Sequence, residues 1–436
     1  MTKRHGYALL AALAAVVVVI STAIYLGVGG SGGESLNQAT ARKPRSAAPA
    51  SAGIWVGTWA ASPASAEPNT PNGYAGMSIR NVIHTSVGGN GARVELSNLY
   101  GNQPLTITHA SIAVATAPSD PTAAAGSMRR LTFGGDTGVT IPVGESVTSD
   151  PARLDVPPAA DLLVTTYSPT PSGPVTYHPH ARQTSFLARG DRAEDTAGTA
   201  YTEQTPSWRY LTAVDVLTTE ARGSVVLLGD SITDGITSTA GGNRRFPDFL
   251  AERLRSEPGA PRYGVLNQGI SGNRVLSDGR RFPPDNPSAL NRLTRDVLSA
   301  SGVRAVVVEL GVNDILRTPH VTDPRQITDG LRSLVRQAHA RGLRVTGGTL
   351  MPFGGHRGFT PQLNAVREQV NAEIRAGRVF DEVVDFDQAL RDPVDPQRLD
   401  PRYDSGDHLH PSDEGYRAMA AALNLSHLRG SASARL

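Results

Sequence analysis

The chain has 436 residues, enough for two or three domains with a full core in each. Lys and Arg number 42 against 40 for Asp and Glu, a net charge of +2 that gives no sign of a nucleic-acid partner. There is no Cys, which excludes disulfides, thiol catalysis and thiolate metal sites.

The first residues, Met1-Thr2-Lys3-Arg4-His5, are basic, and the uncharged run from Tyr7 to Val28 is almost wholly apolar. That run is long enough to span a bilayer. A cleaved signal peptide has a shorter apolar region with a small-residue site close behind it. Here the nearest clear site, Ala50-Ser51-Ala52, lies far downstream. Residues 1–28 therefore read as a transmembrane anchor, with a cleaved signal peptide as the alternative. Both place the rest of the chain outside the cytoplasm, either membrane-anchored or secreted. Residues 29–53, rich in Gly, Ser, Ala and Pro, read as a flexible linker.

From Ile54 to about residue 220 the pattern is all-β. Segments such as Ala92-Arg93-Val94-Glu95-Leu96 and Ile107-Thr108-His109-Ala110-Ser111-Ile112 alternate or nearly so. Turn clusters such as Gly88-Gly89-Asn90-Gly91 and Gly134-Gly135-Asp136 separate them. Short strands at this spacing predict a β-sandwich domain over 54–220. From 221 to 427 apolar strands alternate with helical stretches. Strands are expected at 224–229, 263–267, 305–310, 344–350 and 382–386. Helices are expected near 244–255, 288–300, 324–341, 361–376 and 413–425. This is the rhythm of a parallel, doubly wound α/β layer. Residues 428–436 read as a loose tail.

The stretch Val225-Val226-Leu227-Leu228-Gly229-Asp230-Ser231 is the centre of that layer. A continuous apolar run fits a strand buried on both faces. Ser231 then falls at its carboxyl end, where open α/β sheets place their sites. Alone, Gly-Asp-Ser is more often a strand-ending turn. The loops after the next strands carry Asn267-Gln268-Gly269-Ile270-Ser271-Gly272-Asn273 and Gly311-Val312-Asn313-Asp314. The first could be only a Gly-rich turn, and Asn313 could be only a cap. Near the end stands Asp407-His408-Leu409-His410-Pro411, pinned to a helix start at Ser412. Three residues apart, the Asp407 carboxylate can hold Nδ1–H of His410 while Nε2 faces a serine. Metal binding by Asp407, His408 and His410 is the rival, without further ligands to complete it.

Taken in order, these four blocks resemble the SGNH hydrolases, also called GDSL esterases/lipases, over roughly 224–427. Gly57-Thr58-Trp59-Ala60-Ala61-Ser62 also looks like the start of bacterial members with an N-terminal β-domain. The resemblance implies a three-layer α/β/α, flavodoxin-like domain. It implies Ser231 as nucleophile, His410 as base and Asp407 as its orienter. It implies an oxyanion hole from the N–H groups of Ser231 and Gly269 and the Asn313 amide. Ile232 stands where the family's name has Leu, a position without a catalytic role.

Lesser candidates are Asp230 and Asp234 beside the serine, Asp314 as a loop tie, and Asp404 as a competitor of Asp407. His178 and His180 read as surface or packing residues rather than as the lining of a groove. Trp55, Trp59 and Trp208 read as core rather than as a sugar platform. The expectation is an exported, monomeric serine ester hydrolase acting on acylated carbohydrate or another small ester. It needs no metal, no organic cofactor and no nucleic acid, and it meets the membrane through its N-terminal segment if that is uncleaved. The alternatives are a lipase, an acyltransferase on the same fold, and an inactive glycan-binding module.

Overall fold

The computed structural model describes residues 53–430 apart from Phe282. The expected anchor or signal, residues 29–52 of the linker and the last six residues of the tail lie outside the described residues. No helix among the described residues is long and apolar enough to cross a membrane.

Antiparallel strands fill residues 54–218, as their alternating pattern predicts. Ile54–Ala60, Leu211–Thr218, Gly91–Ser97 and Ser146–Thr148 form one sheet in that order. A second, six-stranded sheet is centred on Met77–His84 and Asp161–Ser168. Val56, Val94, Leu96, Val214 and Val216 of the first sheet share one buried cluster with Ile79, Ile83, Ile112, Leu162 and Val164 of the second. The inward-facing residues of both sheets thus make a single core, which is the sandwich arrangement.

From Gly223 onward the sheet is parallel. Its order is Tyr263–Gly269, Gly223–Gly229, Val303–Glu309, Arg344–Gly348 and Glu382–Val384, or 2-1-3-4-5 in chain order. Val225, Val226, Leu227 and Leu228 are all buried, as a central strand covered on both faces requires. The helices Phe246–Ser256, Pro324–His339, Pro361–Arg375 and Asp413–Ala422 cover it. The helix Pro324–His339 starts where Asp323 caps Arg325 N and Pro324 fixes the first turn. It buries Ile327, Leu331, Leu334, Val335 and Ala338, one face at helical spacing. The expected helix 288–300 is instead a short α-helix, Ala289–Leu293, that widens into a π-turn over Thr294–Leu298. Buried Arg292 and Asp296 pair across this widening at 2.9 Å.

The order 2-1-3-4-5 has its switch point between the strands Gly223–Gly229 and Val303–Glu309. In open α/β sheets the functional site lies beyond the carboxyl ends of the strands at such a point. Ser231 follows the first and Asn313 follows the second. The β-rich layer is bonded to the parallel sheet. Ser224 Oγ accepts from Gly57 N at 3.1 Å and donates to Ser301 O at 2.8 Å. Ser86 Oγ accepts from Val265 N, on the sheet's edge strand, at 2.9 Å.

Candidate active site

Gly229, Asp230 and Ser231 make the turn out of the first parallel strand. A side chain at Gly229 would collide with Thr233, so the turn needs glycine there. The Asp230 side chain accepts from Ile232 N at 3.0 Å and caps the four-residue helix Ser231–Asp234. As its first residue, Ser231 has no intrahelical acceptor for its own N–H. Its side chain reaches His410, with Oγ 2.8 Å from Nε2. On the far side of the ring, His410 Nδ1 lies 2.6 Å from Asp407 Oδ2. Asp407 Oδ1 accepts from Leu409 N at 3.0 Å and His410 N at 2.8 Å. The carboxylate can only accept there, so Nδ1 carries the ring hydrogen and Nε2 offers its lone pair to the serine. Burial works against the Asp407 charge. The His410 N–H, ring and charge outweigh it and hold the carboxyl below the usual carboxylate range.

The loop that carries His410 is tied to the segment that carries Ser231. Thr237 Oγ1 donates to Pro411 O at 2.8 Å, and Tyr416 OH donates to Ile236 O at 2.5 Å. Ser412 caps the following helix at Gly415 N, 3.3 Å. Asp404 turns to its own partner, His408, at 2.6 Å, and does not compete for His410. His408 is thus also committed, and among the described residues no cluster of three or more His, Asp or Glu could hold a metal.

Asn313 is the second residue of the short helix Val312–Leu316. Its Nδ2 donates to Asp230 Oδ2 at 3.0 Å and its Oδ1 accepts from Arg317 Nε at 3.2 Å. Those two partners fix the amide's orientation and leave one N–H unspent.

Gly269 differs from expectation. Its N–H is donated to the Asn267 side chain at 2.9 Å and is not available for an oxyanion. Glycine is required there for another reason: a Cβ would press on the backbone of Thr233 and Asp234. Three residues on, Gly272 has φ +76° and its N–H has no partner among the described residues. A side chain at Gly272 would run into the Arg317 guanidinium, the group that bonds Asn313. The free N–H of this loop therefore belongs to Gly272.

Two buried carboxyls lie beneath the site. Burial pushes Asp230 up to about 6. Burial, and then repulsion from Asp230, pushes Glu309 well above its ordinary value. Glu309 Oε2 is 3.4 Å from Thr233 Oγ1, and Oε1 has no hydrogen-bond partner. Asp314 accepts from Val275 N at 2.8 Å and Leu276 N at 3.1 Å, so it ties its loop, and burial lifts it to about 6.

Sequence reasoning missed the role of His178. It is neither at the surface nor merely packed: its Nε2 lies 3.0 Å from Asp234 Oδ1, with both side chains buried. Trp59 and Trp208 are core residues, stacked edge to face at 4.9 Å. Trp55 lies under the Arg93 guanidinium.

The profile of the GDSL-like Lipase/Acylhydrolase family matches residues 227–418. A search of curated proteins returns no match. Solved structures similar to the chain include a lipolytic protein of the G-D-S-L family from Desulfitobacterium hafniense. It is 19% identical, with 46% of this chain and 96% of that chain covered and a TM-score of 0.35. A carbohydrate acetylesterase from Sinorhizobium meliloti is 18% identical, covering 46% and 95%, with a TM-score of 0.36. The M. smegmatis aryl esterase is 16% identical, covering 46% and 95%, with a TM-score of 0.36. Residues 227–418, with the four sequence blocks at the switch point of a 2-1-3-4-5 sheet, form a domain of the GDSL-like Lipase/Acylhydrolase family.

Proposed function

We propose that the chain is an exported serine ester hydrolase working through an acyl-enzyme. The observation that carries this reading is the continuous relay from Ser231 Oγ through His410 to Asp407, at 2.8 and 2.6 Å. Ser231 attacks the ester carbonyl while His410 Nε2 takes its proton. Asp407 stays ionised and stabilises the imidazolium. The N–H groups of Ser231 and Gly272 and the unspent N–H of Asn313 meet the oxyanion. His410 then gives its proton to the leaving alcohol, and water repeats the sequence to free the acid. No step calls for a metal or an organic cofactor.

The substrate class we favour is an acylated carbohydrate or a comparable polar ester. Among the described residues the large exposed hydrophobics are Ile54, Val143 and Val394, which lie far apart in sequence and supply no apolar lid. Export rests on the N-terminal apolar run, and is tested by fractionating cells and sequencing the mature N-terminus.

The catalytic reading is tested by Ser231→Ala. Hydrolysis of p-nitrophenyl acetate should vanish while the circular dichroism spectrum is unchanged, and a fluorophosphonate should label Ser231. Retained activity, with label on Ser271 instead, overturns the assignment.

A further inference from the structure

We propose that His178, supplied by the β-rich layer, is a positioning residue for this esterase. Through Asp234 it holds the nucleophile turn in register with the loop 269–272. The proposal rests on the esterase reading above.

Asp234 is the last residue of the four-residue helix that begins at Ser231. Its two oxygens tie different parts of the protein. Oδ1 lies 3.0 Å from His178 Nε2. Oδ2 accepts from Ser271 N at 3.0 Å and Ser271 Oγ at 2.7 Å. The same loop presses Gly269 against the Asp234 backbone. A movement of Asp234 therefore shifts Ser231 relative to Gly272, the two residues whose N–H groups the proposed mechanism assigns to the oxyanion.

His178 is fixed from its other side as well. Its Nδ1 lies 2.9 Å from the Ser62 carbonyl, which can only accept, so Nδ1 carries a hydrogen. A second hydrogen must lie between Nε2 and Asp234. With Oδ2 already accepting twice, that hydrogen belongs on the ring, and the pair is an imidazolium and a carboxylate. Burial alone disfavours the cation; the charge and hydrogen bond of Asp234, then Ser62 O, outweigh it and raise the His178 pKa. For Asp234 burial is likewise outweighed, by His178 and Ser271, and its carboxyl is lowered. The other charged or titratable groups around the pair include Arg245, itself paired with Asp248, His180 and the Tyr416 hydroxyl. The Trp208 ring lies 5.5 Å from the imidazole.

A buried ion pair adds little net stability over an apolar pair, and its attested use is to fix register. Here the register is between the layer that carries Ser62 and His178 and the turn that carries Ser231. Misplacing reacting groups by about 1 Å costs on the order of 100-fold in rate.

The test compares His178→Gln, Asp234→Asn and Ser271→Ala on p-nitrophenyl acetate, with thermal melts as the check on folding. In the first two, kcat should fall roughly 10- to 100-fold with KM nearly unchanged. Ser271→Ala should lose less kcat and melt like the wild type. In the 15N-labelled wild type both ring nitrogens of His178 should be protonated at neutral pH. Wild-type kcat in folded His178→Gln, or an unprotonated ring nitrogen, overturns the proposal. Should His178→Gln fail to fold, an unchanged kcat in Ser271→Ala overturns it instead. Hydrolysis that survives Ser231→Ala would sink the esterase reading, an outcome these variants cannot imitate.

Discussion

Asp407 spends both carboxylate oxygens on one short loop: Oδ1 on two backbone N–H groups and Oδ2 on the His410 ring. Asp407→Asn keeps the shape but can turn its NH2 toward Nδ1, which then holds the wrong tautomer. Its kcat should fall by up to about 10⁴, seen in steady-state kinetics with the melting temperature little changed. Asn313→Ala removes an amide locked between Asp230 and Arg317. In the proposed mechanism that amide acts on charge that develops in the transition state, so kcat should drop about 10²- to 10³-fold with KM nearly constant. A change in KM alone would make Asn313 a substrate-binding group. Asp407 and His410 were legible in the sequence because they are three residues apart on a capped turn. Gly269 was misread because the Asn267 side chain decides which N–H remains free, and a string of letters does not show that bond. His178 was missed because its partner, Asp234, lies 56 residues away in the other layer.

At the scale of elements, two neighbouring strands end in acids. Gly229 and Glu309 are paired across the parallel ladder, and Asp230 follows Gly229 directly. Strand positions were readable from apolar runs, and Val303–Glu309 is one of them. The meeting of Glu309 with Asp230 was not, because it depends on register between strands. Burial and mutual repulsion make it costly for both carboxyls to ionise, so the pair resists losing its second proton. Both pKa values are raised in the folded state. Their stabilising contribution is therefore complete below the ordinary carboxylate range and is lost as pH rises through the folded values, about 6 for Asp230. For Asp230 alone the shift from 3.8 to about 6 is on the order of 3 kcal/mol. Glu309→Gln keeps the shape of the neutral acid and removes the second ionisation. Its unfolding free energy should fall less than that of the wild type between pH 5 and pH 8, measured by urea titration at each pH. Parallel curves would show that the pair does not share a proton.

The sequence rhythm changes sharply near residue 220, from alternating short strands to apolar strands with helices. That change is real in the topology: antiparallel sheets precede it and one parallel sheet follows. Chain order does not reveal how much the two layers share. Ser301 O accepts from both Gly57 N, at 3.2 Å, and Ser224 Oγ. Asp296 Oδ2 accepts from Ser62 Oγ at 2.5 Å and from Arg292 at 2.9 Å. Arg292 in turn donates to Gly229 O at 2.8 Å and Gln268 O at 2.6 Å, at the carboxyl ends of the first two parallel strands. Ala60 of the β-rich layer is buried in the α/β core, and the Gly57 position lies against the Leu266 side chain. Removing the β-rich layer would take Ser62 from Asp296, His178 from Asp234 and Ser86 from the edge strand Tyr263–Gly269. Polar groups that stay buried without a partner cost about 1–3 kcal/mol each, a large share of a domain's net stability of about 5–15 kcal/mol, and the apolar contact of Ala60 and Leu266 would be lost as well. A fragment starting at Arg222 should therefore not fold, although it contains Ser231, Asn313, Asp407 and His410. A fragment spanning residues 53–430 should melt in one cooperative step, with loss of esterase activity at the same midpoint as loss of near-ultraviolet circular dichroism. Two separated transitions, or an active fragment from Arg222, would show that the layers are independent and that the β-rich layer only decorates the enzyme.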